Sequence, residues 1–460
     1  MTDTGDGSPH CIADARERDA ADPLRDYRDH FSVPEGERYM DGNSLGLAPD
    51  AALAALERVV GEWEELAIRG WEDADPEWFR YGEHLGDLLA PLVGANGSEV
   101  VVANSTTVNV HTLIGTFLDA LPGTPAGPDP AAEAPAVLVN DLDFPTDHYS
   151  IRAQLRQRGI DPDRKLVAVE SRDGRTVDEA DVEAALRERD DVGIVFMPSV
   201  LYRSGQLLDV DRITAAAHER GALAGFDCAH SVGAVPHDLR NAGGVDRDGD
   251  ADSAGDAPLG PGADFAVWCS YKYLNAGPGA TAGLYVHERH HGTTPALAGW
   301  WGNDKSTQFE LRPTYTPADS AGAWQIGTVP MLSSAPIEGA VGLIREAGIE
   351  RVREKSLALT DYLIALVDDR LGDDFSVGTP RERGRRGGHV AIEHPEGYRV
   401  SEALRDRDVV VDFRPPNVVR VCPAPLYTRF EDVWHVVETA REVVETDAHL
   451  AYEPRGGGVT

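Results

Sequence analysis

Cysteine is nearly missing: Cys11, Cys228, Cys269 and Cys422 are the only four in 460 residues. They stand far apart with no C-x-x-C pair, so neither a disulfide framework nor a zinc site is signalled. Three lie in apolar runs and read as small buried hydrophobes, with Cys228 the one candidate for a catalytic thiol. Long apolar runs are missing too; no stretch approaches the ~20 residues of a membrane span. The opening MTDTGDGSPHCIADARERDA is polar and acidic, which argues against a signal or transit peptide. A cytoplasmic protein without a membrane partner is the expectation. Positive charge is also short, with 43 Lys and Arg against 78 Asp and Glu and a net charge of -35. Such a surface repels nucleic-acid phosphates, so no nucleic-acid partner is expected. The acidic residues are spread along the chain, and lysine is scarce beside arginine. That pattern suits a halophilic protein, soluble in concentrated salt where screening weakens self-repulsion. An acidic protein of ordinary surroundings is the alternative.

What is present reads as an α/β chain. Apolar residues make up 42%, an ordinary globular share, and the length allows about two to four domains. AALAALERVVGEWEELAIR (51–69) has apolar residues at helical spacing behind a Pro-Asp start. EVVVANS (99–105) reads as a buried strand running into a helix start at Ser105, Thr106 and Thr107. AVLVN (136–140), KLVAVE (165–170), VGIVFMPS (192–199), ALAGFDCAH (222–230) and DFAVWCS (264–270) read as further buried strands. Helical stretches at 178–189 and 209–221 separate several of them. This alternation predicts a mostly parallel sheet covered by helices. Beyond about residue 330, one long helical segment leads into strands HVAIEH and VVRVCP and a final helix, a smaller C-terminal α+β domain.

Expected boundaries are a polar tail at 1–24, a large domain at 25–330, a small domain at 331–450 and a tail at 451–460. The N-terminal segment of the large domain is expected to join the small one. Two stretches, Pro- and Ala-rich 122–136 and Gly- and Asp-rich 243–262, lack the apolar residues to fold alone and read as solvated insertions. The aspartates of the second lack EF-hand spacing, so no metal is expected.

Ligands of such sheets sit beyond the carboxyl ends of the strands, so polar residues there carry information. Ser105-Thr106-Thr107 opens a helix, offering hydroxyls and free N–H groups to an anion. Asp227 and His230 end one strand, and Lys272 follows another. A phosphate cradle, a buried carboxylate and an enclosed lysine are what pyridoxal 5'-phosphate requires: the lysine for a Schiff base, the carboxylate for the pyridine nitrogen, the helix end for the phosphate. Each feature alone has a plain structural reading, as a cap, a turn residue or a solvated lysine. Their shared place at the ends of one sheet favours the cofactor.

Several segments resemble the kynureninase family. They are YMDGNSLGLAP (39–49), ANSTTVNVH, DFPTDHYS (143–150), FDCAHSVGAVPHDL (226–239), WCSYKYLNAGPG (268–279), PALAGWWGN (295–303) and RVCPAPLYTRFEDVW (420–434). The match runs in order from about residue 25 to 445, with GNSLGL and SYKYLNAGPG its most specific parts. The resemblance implies a homodimeric fold-type I pyridoxal phosphate enzyme that hydrolyses L-kynurenine to anthranilate and L-alanine. Both tryptophan catabolism and NAD biosynthesis remain open as its setting. By the same resemblance Lys272 is the Schiff-base lysine, and Tyr271 lies at the cofactor phosphate and donates a proton at the β-carbon. Thr106 and Thr107 bind phosphate, and Phe144 stacks on the pyridine ring with Asp147 close by. Asp227 partners the pyridine nitrogen, with His230 beside it. Trp300 and Thr328 reach the phosphate of the neighbouring subunit. Arg420 grips the substrate carboxylate, and Ser44 and Trp71 lie in segments lining the substrate pocket.

The chain departs from the family pattern at Asn303, where histidine is common; this leaves kynurenine against 3-hydroxykynurenine open. It also reads Pro198-Ser199 where a cofactor-side serine or threonine is common, leaving one contact unassigned. A cysteine desulfurase or aminotransferase on the same fold is the rival enzyme. A non-catalytic pyridoxal phosphate-binding protein is the rival from another class.

Overall fold

The computed structural model describes residues 10–244 and 259–454. The expected tails at 1–24 and 451–460 and the 243–262 insertion therefore lie partly outside the described residues.

Seven strands form the main sheet, numbered here in chain order: β1 Val100–Val102, β2 Ala136–Asn140, β3 Leu166–Val169, β4 Val192–Pro198, β5 Leu223–Asp227, β6 Phe265–Trp268 and β7 Gly283–Val286. Their order across the sheet is β1-β7-β6-β5-β4-β2-β3. The central neighbours pair in parallel, and β7 alone runs antiparallel to both of its neighbours. Strands that are apolar at nearly every position need both faces covered, and here they are. Ala136 and Leu138 enter one core, while Val137 and Val139 enter the other. That is the two-residue period of a strand sorting one run into two cores. Helices Thr106–Ala120 and Pro145–Gln157 pack together on one face. Helices Val210–Glu219 and Met331–Ala347 contribute Ile213, Ile337 and Val341 to the core on the other.

A second sheet, all antiparallel, holds β8 Ser376–Val377, β9 Val390–Glu393, β10 Asp412–Arg414 and β11 Val418–Val421 in the order β10-β11-β9-β8. Its own core joins Leu359, Leu363, Val390, Val419, Val421 and Val433.

Three expectations change. The polar segment expected as a tail at 1–24 is, over its described part, the helix Ile12–Ala21, with Ala15 buried in the small core and Leu24 in the large one. Its side chains are mostly charged, so burial of a single alanine face left little periodic signal. The long helical segment is two helices, Met331–Ala347 and Ile349–Arg370, broken at Gly348 with φ of +82°. Glycine takes that left-handed conformation without the steric cost other residues meet. The first of these helices packs on Asp50–Leu66 within the large core, so the small core starts later than residue 331. The 122–136 insertion has turns and no regular element before β2, yet Thr124 is fully buried. In the N-terminal segment, Arg38–Tyr39 pairs in parallel with Val409–Val410.

Asp264, just before β6, lies at the amino end of that inner strand. Its Oδ2 accepts from Ala224 N at 2.7 Å and lies 2.9 Å from His218 Nε2, while Oδ1 lies 2.7 Å from His290 Nε2. Burial alone would raise its pKa, but the bonds from His218 and His290 outweigh burial and hold the carboxyl well below the ordinary range. A carboxyl with a depressed folded-state pKa stabilises the fold above its unfolded value and loses that contribution as pH falls toward the folded value. Asp264→Asn should therefore lower stability at neutral pH by about 2–4 kcal/mol. It should also flatten the fall of Tm below about pH 4. Thermal melts of both proteins across that range check this, and parallel pH profiles would contradict it.

Candidate active site

A pocket opens beyond the carboxyl ends of β1, β2, β4, β5 and β6. Its walls include Thr106, Thr107, Phe144, Asp147, Asp227, His230, Tyr271 and Lys272, so eight residues singled out from the sequence converge on it. The local reasons differ. Ser105 caps the helix Thr106–Ala120, its Oγ accepting from Val108 N at 3.4 Å. The first N–H groups of that helix lack intrahelical partners and suit an anion. Pro145 occupies the first position of the helix Pro145–Gln157, where its missing N–H costs nothing; this leaves Phe144 at the cap and Asp147 in the first turn.

Asp227 ends β5, its Oδ1 accepting from Ala229 N at 2.8 Å. The carboxyls of Asp147 and Asp227 share a hydrogen bond, and both are raised above the ordinary range. For Asp147 the causes are burial and then the charge of Asp227; for Asp227 burial leads, partly offset by Lys272. Asp147 is raised further than Asp227, whose charged form the Lys272 charge favours. Lys272 lies past the end of β6, with Nζ 2.9 Å from His230 Nε2. Burial and then the Lys272 charge push the His230 imidazole well below its ordinary pKa, so it is neutral. Its Nδ1 is buried without a partner among the described residues. Burial pushes the Tyr271 phenol above its ordinary value, which keeps its proton in place. The segment Gly42–Leu47 closes over this loop, with Gly46 N donating to Tyr271 O at 2.8 Å. A side chain on Gly46 would meet Lys272 O at 2.4 Å, so only glycine permits the approach.

These residues fit pyridoxal phosphate: a helix N-terminus for an anion, a carboxylate for a ring nitrogen, an amine for an aldehyde, and an unpartnered buried imidazole nitrogen beside them. The Phe144 ring is 48% exposed and stands edge-on to Tyr202 with centroids 5.3 Å apart. Ser199, in the Pro198-Ser199 pair left without a role, bonds Ser231 at 2.7 Å behind the pocket.

Arg420 and Ser44 lie one layer behind the wall. Arg420 Nη1 donates at 2.7 Å to the carbonyl of Tyr202, whose side chain does line the pocket. Arg420 is fully buried and already paired with Asp412. Four other residues singled out from the sequence lie elsewhere. Trp71, Trp300 and Thr328 line a separate aromatic hollow of about 560 Å³ with Ile68, Phe79 and Phe309. Asn303 borders the adjoining groove, where its Oδ1 accepts from Thr316 N at 2.9 Å.

Sequence reasoning missed Tyr202, Asp412 and Arg414. A signal for two of them was there. VVVDFRPPNVVRV reads as two short strands about a Pro-Pro turn, and that hairpin sets an aspartate opposite an arginine. Tyr202 had no such signal, because its importance lies in a carbonyl.

The fold matches solved enzymes of low sequence identity. A cysteine desulfurase from Thermococcus onnurineus superposes with a TM-score of 0.72 at 17% identity, over 92% of this chain and 98% of that one. A cysteine desulfurase from Escherichia coli gives 0.71 at 15% identity, over 92% and 98%. They share the architecture of this chain over nearly its whole length. Sequence relatives are closer. Kynureninase of Geobacillus thermodenitrificans is 44% identical over 432 residues, 94% of each chain. Kynureninase of Bacillus anthracis is 43% identical over 440 residues, 95% of this chain and 96% of its own. Residues 352–440 match the kynureninase C-terminal domain family. With identity of this order over nearly the full length of both chains, the chain belongs to the kynureninase family.

Proposed function

We propose that this chain hydrolyses L-kynurenine to anthranilate and L-alanine with pyridoxal 5'-phosphate as cofactor. Carrying the reading is the convergence of Lys272, the Asp147–Asp227 pair and the Thr106–Thr107 helix start on one pocket, in a chain 44% identical to a kynureninase. The reaction breaks the Cβ–Cγ bond of the substrate; water supplies a hydroxyl to Cγ and a proton to the alanine side.

When bound, pyridoxal phosphate supplies an electron sink for carbanion chemistry. Thr106 and Thr107 would hold its phosphate, Asp227 its ring nitrogen, and Phe144 one ring face. The chain's own groups handle the protons. Lys272 Nζ is the base placed to move a proton at Cα, and the neutral His230 beside it competes for no proton. Asp147 keeps the proton of the carboxyl pair, which leaves Asp227 charged toward a protonated ring nitrogen. Tyr271, held protonated by burial, is the donor placed for Cβ. 3-Hydroxy-L-kynurenine is the second candidate substrate, with Asn303 the residue bearing on that choice.

Trp71, Trp300 and Thr328 support a homodimer. They cluster with Ile68, 77% exposed, and Phe309, 66% exposed, on a face outside the pocket they are expected to serve. A second copy seated there would bury that apolar face and lend Trp300 and Thr328 to the neighbouring pocket. No described helix is long and apolar enough to cross a membrane, consistent with a cytoplasmic enzyme. The excess of 35 negative charges supports a protein suited to concentrated salt.

The desulfurase reading needs a reactive thiol. Burial pushes Cys228 and Cys422 up to about 12 and raises Cys269 as well, which removes three candidates. Iodoacetamide on the native protein at neutral pH should label Cys11 alone; rapid modification of Cys228 would reopen that reading.

Two further outcomes test the proposal. The holoenzyme should release fluorescent anthranilate from L-kynurenine, and borohydride should fix the pyridoxyl group on Lys272. Lys272→Ala should lower kcat by about 10³-fold or more. Anthranilate release unaffected by Lys272→Ala, or a reduced pyridoxyl group mapped elsewhere, would refute the assignment. Mixing inactive Lys272→Ala subunits with Trp300→Ala/Thr328→Ala subunits should restore activity through hybrids carrying one intact pocket. Mixtures no more active than their parts would refute the shared site.

A further inference from the structure

Asp412 and Arg420 stand directly opposite each other on β10 and β11. Both side chains are out of water, at 0% and 1% exposure. Arg420 Nε donates to Asp412 Oδ1 at 2.6 Å, and Nη2 donates to Oδ2. Arg414 Nη2 reaches the same Oδ2 at 2.7 Å, so two guanidiniums share one carboxylate. Arg414 Nε is buried with no partner among the described residues.

A guanidinium offers a carboxylate two bidentate approaches, one at Nε and Nη2 and one at the Nη1–Nη2 edge. Asp412 fills the first. Removing it would strand a buried charge, so an incoming anion cannot displace it cheaply. Neutral groups fill the second: Nη1 donates to Tyr202 O at 2.7 Å and Nη2 to Ser44 Oγ at 3.0 Å. Ser44 Oγ also donates to Asp412 Oδ2 at 3.0 Å, so hydroxyl, carboxylate and guanidinium form one closed set. Exchanging a carbonyl for a carboxylate at that edge gains a charge-assisted bond. Tyr202 also lines the lysine pocket, so the edge it covers is the one nearest the chemistry.

We propose that Asp412 is a positioning residue for recognition of the substrate carboxylate: it holds the Nε–Nη2 side of Arg420 and leaves only the Nη1–Nη2 edge, now covered by Tyr202 O and Ser44, for the ligand. The proposal rests on the assignment of Arg420 to the substrate carboxylate. In Asp412→Asn, the amide turns a donor toward the Arg420 donors, so the fork loses its fixed orientation while the pocket around Lys272 is untouched.

The experiment compares holoenzymes of wild type, Asp412→Asn, Ser44→Ala and Arg420→Lys. It measures kcat and KM for L-kynurenine and, by calorimetry, the Kd of L-alanine and of L-alanine methyl ester. Asp412→Asn should raise KM and the L-alanine Kd by roughly 10- to 100-fold. Its kcat should stay within about threefold and its affinity for the ester should be unchanged. A carboxylate that merely balances charge predicts the opposite, tighter binding of the acid once the negative charge is removed. Unchanged or lowered KM overturns the proposal, as does an equal loss for acid and ester. Should Asp412→Asn not fold, Asp412→Glu carries the test: its displaced carboxylate should raise the same constants for the acid and not for the ester, while Ser44→Ala, which uncovers the ligand edge, should not weaken acid binding. Arg420→Lys separates the two layers. If that variant still prefers acid to ester as wild type does, the assignment of Arg420 fails. If it loses the preference and Asp412→Asn keeps it, only the role of Asp412 fails.

Discussion

A buried carboxyl beside a half-buried carboxyl and a half-buried amine, all beyond the strand ends of one sheet, is the constraint on which the rest depends. Asp147, Asp227 and Lys272 come from three separate stretches, and each would be costly to enclose alone. Together they are tolerated because the Lys272 charge offsets part of the burial cost at Asp227, while burial and Asp227 raise Asp147. That balance holds only if β5 and β6 stay in register, which the parallel pairing of Asp227 with Val267 secures. The two apolar cores clamp this register from both faces. Slipping a strand by one residue would send its core residues to the wrong face.

The small domain meets the same requirement with different chemistry. Its hairpin places two arginines on one buried aspartate, in contact with Ser44 from the N-terminal segment and the carbonyl of Tyr202 from the large body. The N-terminal segment is what makes this meeting possible. It pairs with the small domain through Arg38–Tyr39 and then runs along the lysine loop through Gly46. One short stretch thus ties the lysine loop to the arginine hairpin. A shift of either body would be felt at both.

Much of this was legible in the sequence. The strands at 136–140, 192–198 and 223–227 fall within the runs expected for them, because unbroken apolar runs bounded by helices leave few alternatives. The pocket residues were legible for a related reason. A polar residue at the carboxyl end of a buried strand has one place to go, and Thr106, Thr107, Asp227, His230 and Lys272 went there. Less legible was the helix Ile12–Ala21, whose charged surface hides a single buried face, and the break at Gly348, where one glycine ends a continuous apolar pattern.

By itself the sequence determined the alternation of strand and helix, the strand ends that carry the chemistry, and the identity of the lysine, Asp227 and the threonines gathered there. Those follow from local periodicity and from where polar groups interrupt it. Only the tertiary structure decided that Arg420 is already half engaged by Asp412, that a backbone carbonyl of Tyr202 covers its free edge, and that Trp71, Trp300 and Thr328 face away from the pocket of their own chain. Those are matters of distance between residues far apart in sequence. Burial rather than residue type selects which charge pairs with which, so no local pattern can encode them.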